Sequence, residues 1–142
     1  MRTTGQNRFM PAALALLALS PGQAMSMMGH DGPPPCESQA CFVEAVSACR
    51  TDASYMTRTA AGAQVQYRVE GATENGRCRL GMIYMQHPEP DWTYKPLHFV
   101  LDREGDISTR LGKTVTDCLS GRADSDRQCR GPLLEISGAA DR

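Results

Sequence analysis

The sequence predicts an α+β domain: an antiparallel β-meander of three to four strands, an N-terminal helix packed on one face, and a second, C-terminal helix, all stapled by disulfides. Three observations carry this. Residues 64–70 and 77–87 alternate apolar and polar side chains with the period of two that half-buries a strand. Residues 38–50 and 104–121 repeat apolar side chains at helical spacing. The cysteines (Cys36, Cys41, Cys49, Cys78, Cys118 and Cys129) are even in number, as a disulfide framework requires.

In chain order, Ser38 caps a helix running to about Arg50. Cys41, Phe42, Ala45, Val46 and Cys49 form its apolar stripe, with Glu44, Ser47 and Arg50 outside it. A first strand is expected over 55–59. In the second, Val65, Tyr67 and Val69 share a face, and a turn over 71–76 ends in Asn75-Gly76. In the third, Cys78, Leu80, Met82 and Tyr84 share the core face, opposite Arg79, Ile83, Met85 and His87. Pro88-Glu89-Pro90-Asp91-Trp92 breaks the pattern, and a last strand over 94–102 turns Leu97, Phe99 and Leu101 inward. The second helix opens at Glu104-Gly105-Asp106, carries Ile107, Leu111, Val115 and Leu119 in steps of four, and stops at Gly121. A charged loop over 122–127 follows, and 132–136 adds a short segment.

Residues 1–24 read as a signal peptide. Arg2 and Arg8 precede an apolar run of about eleven residues, and Gly22 and Ala24 supply the small side chains a signal peptidase needs. A membrane-spanning helix needs roughly 20 such residues. The first cysteine, Cys36, is too far from the cleavage point for a lipid anchor. Residues 25–35 end in three prolines and read as a flexible mature N-terminus, 36–137 as one α+β domain, and 138–142 as a tail. Export in turn favours disulfides over zinc, since no two cysteines have knuckle spacing. Cys78 on the core face and Cys49 at the end of the covering helix make Cys49–Cys78 the best first pair. Cys118–Cys129 then closes the loop after the second helix, and Cys36–Cys41 remains. The mature chain carries 13 basic and 16 acidic residues, a net charge of −3. That balance argues against nucleic acid and against electrostatic membrane binding.

Cys41-Phe42 with Cys49, Tyr67-Arg68-Val69-Glu70-Gly71 leading to Cys78, and His87-Pro88-Glu89-Pro90-Asp91-Trp92 together resemble a group of small exported prokaryotic domains of uncharacterised function. The resemblance spans roughly residues 36–102. It departs where His98-Phe99 stands in place of a common cysteine. It implies a fold, with no activity attached.

No catalytic constellation emerges. Paired cysteines leave no thiol nucleophile, no Gly-x-Ser-x-Gly or phosphate-cradling glycine loop is present, and the acidic residues are scattered over turns. Two binding chemistries remain. Met85 and His87 on one strand face, with His98 and the N-terminal Met27, Met28 and His30, offer thioether and imidazole donors suited to copper. If the turn over 88–93 joins adjacent antiparallel strands, Ile83 stands opposite His98 and Met85 is diagonal to it. Met25, Met27 and Met28 have a plainer account as signal flank, and Met82 as core packing. Trp92 and Tyr94, among Pro88 and Pro90, make a rigid aromatic turn of the kind that anchors interfaces. The expected function is therefore a small secreted or periplasmic non-enzymatic binding domain for a protein or small ligand, with a periplasmic copper-binding protein as the alternative.

Overall fold

The computed structural model describes residues 34–123 and 127–139. The expected signal peptide, Met25, Met27, Met28 and His30 lie outside the described residues. Helix α1 (Gln39–Ser47) precedes strands β1 (Ser54–Arg58), β2 (Gln64–Ala72), β3 (Cys78–Gln86) and β4 (Pro96–Leu101), with a 3-10 turn at Pro90–Trp92 between the last two. Helices α2 (Ile107–Leu119) and α3 (Pro132–Ser137) follow. The strands form one antiparallel sheet in the order β1-β2-β3-β4, so the α+β meander is the fold.

Helix α1 starts where Ser38 accepts the Cys41 N–H and ends in a Schellman motif, with Cys49 N–H donating to Val46 O and Arg50 N–H to Ala45 O. Cys49 occupies the left-handed position that closes this motif, at φ 47°. The helix therefore stops at Ser47, and helical spacing does not set the direction of Cys49. Phe42 is the main wedge of α1. Its ring stacks on Tyr55 at 5.7 Å and tilts against Tyr67 at 6.1 Å, fully buried. Tyr55, Tyr67, Met82 and Leu97 form a row straight across all four strands beneath it. Burial pushes the Tyr67 hydroxyl up to about 12, with the nearby Tyr84 adding to the shift.

The two hairpin turns before β2 and β3 are built alike. In each, a threonine hydroxyl (Thr59, Thr73) accepts the backbone N–H four residues on, and a glycine at positive φ (Gly62, Gly76) closes the reversal. Helix α2 is capped by Asp106 and ends in a second Schellman motif at Gly121. Its buried face is Ile107, Thr114, Val115, Asp117 and Cys118, while Leu111 and Leu119 are half-exposed. The expected stripe of fours drifts because each step of four overshoots one turn by about 40°. The segment over 132–136 is helical, and Leu133 reaches the core.

The disulfides are Cys36–Cys41, Cys49–Cys78 and Cys118–Cys129, the three pairs named above. Cys49–Cys78 ties the end of α1 to the start of β3. No described helix is long and apolar enough to cross a membrane.

Candidate functional site

The 87–95 connection grows from the end of β3. Tyr84, the last core-face residue of that strand, accepts the Tyr94 N–H at 2.8 Å, which closes the connection into a loop. Within it the prolines favour a tight turn: Trp92 N–H donates to Glu89 O at 3.1 Å and Thr93 N–H to Pro90 O at 3.0 Å. Trp92 is thereby swung back over the sheet. Its indole stacks on the His87 ring, centroids 4.9 Å apart and planes 10° apart, and the His87 ring meets Tyr84 edge-on at 4.6 Å. His87 Nδ1 accepts the Glu89 N–H at 3.0 Å.

Trp92 and Tyr94, paired in the sequence reading, part company in the structure. Trp92 is half-buried and packs against the core cluster. Tyr94 is 64% exposed and sits at φ 60°, the left-handed region, where a bulky side chain is strained. Among the described residues its ring makes no aromatic contact and its hydroxyl no hydrogen bond. Helix α3 lies beside this turn and carries another exposed apolar residue, Ile136.

The described members of the copper set do not converge. Gly81, not Ile83, stands opposite His98, and Ile83 faces Pro96. The 3-10 turn and the Tyr94–Tyr84 bond take up residues that a simple hairpin would have paired. Met85 is four residues along β3 from Gly81, or about 13 Å from the level of His98. His87 follows the strand's last residue, Gln86, so it leaves the pleat and packs on core-face Tyr84, away from the face of Met85. Met82 is buried in the core. Among the described residues no group of three His, Cys, Asp or Glu side chains could hold a metal ion.

His98 instead has a partner the sequence did not point to. Glu70 Oε1 lies 2.5 Å from His98 Nδ1, across the intervening strand. Two features make room for this pair. A bulge between Val69 and Gly71 displaces Glu70 from regular pairing. Gly81 lies beneath, where an added Cβ would stand 2.6 Å from Glu70 Oε1. Arg130 then pairs its backbone with His98 along the outer edge of β4. The only hint in the sequence is Glu70-Gly71, a strand end carrying the glycine a bulge favours. A carboxylate on Nδ1 orients the ring's other nitrogen outward. A shallow hollow lies beside the pair, lined also by Arg79 and Gln128.

Comparison with protein-family models, with curated proteins and with solved structures gives no match.

Proposed function

We propose that the chain is an exported, disulfide-stapled binding domain without catalytic chemistry of its own, and that it meets its partner with the tip of the β3–β4 connection, led by Tyr94. The observation that carries this is Tyr94 itself, 64% exposed at φ 60°. A non-glycine residue in left-handed backbone costs about 1–2 kcal/mol. An exposed aromatic ring recovers little of that through burial. Neither backbone preference nor packing accounts for a tyrosine there, and strain of this kind clusters where a molecule is used. Tyrosine suits the role, offering a large rigid surface with a polar tip. Trp92 and His87 stiffen the turn from behind, so little freedom is lost on binding.

Export is supported by the signal-like order of residues 1–24 and by the pairing of all six cysteines, chemistry that persists outside the reducing cytoplasm. A photoreactive benzoylphenylalanine placed at position 94 tests the docking role in the producing cell's envelope and medium. Position 56, where Met56 is exposed on the edge strand, is the control. A discrete adduct from position 94 that position 56 does not give is the expected result. No adduct, or the same adducts from both, refutes it.

A further inference from the structure

At the opposite end of the sheet, where β2 turns into β3 and β4 leaves for α2, five cations converge on two adjoining hollows. The smaller, of about 320 Å³, lies between the strand ends and α2 and is lined by Arg77, Arg110, Lys113 and Arg127. The larger, of about 620 Å³, shares Arg77 and Arg110 with it and adds Arg103. Arg110 and Lys113 are three apart on α2 and so lie side by side on one helix face.

Among the described residues the carboxylates nearby are fewer than the cations. Asp102 and Glu104 lie in the walls, and Asp117 binds two of the cations, Lys113 and Arg127. Among the described residues, five cations there face three acids, in a chain whose sequence from Met25 onward is net negative. Asp117 acts as a positioning residue. Its buried carboxylate accepts Lys113 Nζ at 2.5 Å and is also bonded by Arg127. These two partners hold its carboxyl below the ordinary carboxylate range. Arg103 is fixed in a similar way, donating to Ser47 O at the end of α1 at 3.3 Å. Arg110 is different. Its guanidinium forms no hydrogen bond or ion pair among the described residues, and it lies over Gly105, where an added Cβ would stand 3.2 Å from it. The arrangement thus combines cations held in place with one whose donors are unspent.

We infer that this end is a binding site for a small, multiply charged oxyanion, a phosphate ester or a polycarboxylate. Four of the five cations are arginines, whose planar forks match both groups in bidentate geometry. The hollows are too polar for an apolar ligand, and their volume admits a molecule larger than a bare ion.

Calorimetric titration of the oxidised mature chain with pyrophosphate, glycerol phosphate and citrate, at low and high salt, tests the site. Saturable binding by at least one of them is expected, weakening as salt screens it. Arg110→Gln should weaken that binding about tenfold, the effect of one lost charge-assisted hydrogen bond. Its thermal transition without ligand should match the parent's, since Arg110 is exposed and supports nothing. Arg68→Gln removes an equal charge from the outer sheet face, where Arg68 pairs with Asp52, and should leave affinity within about twofold. No saturable binding by any of the three anions overturns the inference. So does binding that Arg110→Gln leaves intact, or that both variants weaken alike. Whether the phosphates or citrate bind better names the ligand's source.

Discussion

Where β3 runs toward β4, three rings (Tyr84, His87 and Trp92) pack on one another and lift a fourth, Tyr94, into water. Where β2 turns into β3 and β4 leaves for α2, the side chains are arginines, a lysine and carboxylates around open hollows. The first end is held by contact between neighbours in sequence. The second is assembled from residues spread from Ser47 to Arg127, and it is held by a disulfide, helix caps and ion pairs. An end built from neighbours can be rigid through short-range packing. An end built from distant segments needs cross-links, and Cys49–Cys78 sits there.

The largest way to break the comparison is to remove that cross-link. Replacing Cys49 and Cys78 together with alanine should lower unfolding free energy by about 2–4 kcal/mol in denaturant titration. The same change at Cys118 and Cys129 should cost less, because the separation closed is 11 residues against 29. The reverse order would mean that the distant segments hold without their staple. Trp92→Ala should cost about 2 kcal/mol, less than for a fully buried indole, while Arg110→Gln should stay within about 0.5 kcal/mol. Equal losses would erase the distinction between a packed end and an open one.

The aromatic core under α1 and the basic end should also part in their response to pH. In alkali, the shift of Tyr67 to about 12 delays phenolate formation, which ultraviolet absorbance would follow. Its folded value is raised, so its stabilising contribution is complete below the unfolded value near 10 and is lost as pH rises through about 12. Burial raises Tyr84 as well. In acid, Asp117 and Asp106 have lowered folded values, Asp117 through Lys113 and Arg127 and Asp106 through Thr109. Their contribution is present above the ordinary carboxylate value and fades as pH falls below it. Asp117→Asn should flatten that acid limb, and an unchanged limb would show that the ion pairs around the hollows add nothing.

Much of the fold is written locally. Alternation at Val65, Tyr67 and Val69 and at Cys78, Leu80, Met82 and Tyr84 marks β2 and β3, and the capping residues Ser38 and Asp106 mark the helix starts. The β3–β4 register was not legible, because nothing in Pro88-Glu89-Pro90 states how many residues a 3-10 turn removes from pairing. The Glu70–His98 pair depends on a bulge, which leaves no count in the pattern. The basic end was invisible for another reason. Arg77, Arg103, Arg110, Lys113 and Arg127 each read as a solvated charge, and only the sheet brings them together. At the aromatic end the residue types were legible and their division of labour was not, since tyrosine gives no sign of left-handed backbone.

The direct test of what Tyr94 is for is its replacement by glycine, with stability read by chemical denaturation. If the residue is kept for display, Tyr94→Gly relieves the strained backbone and raises stability by up to about 1 kcal/mol, after the entropy glycine adds to the unfolded chain. A loss of 1 kcal/mol or more would mean that the ring holds the turn together, contradicting its role as the exposed contact.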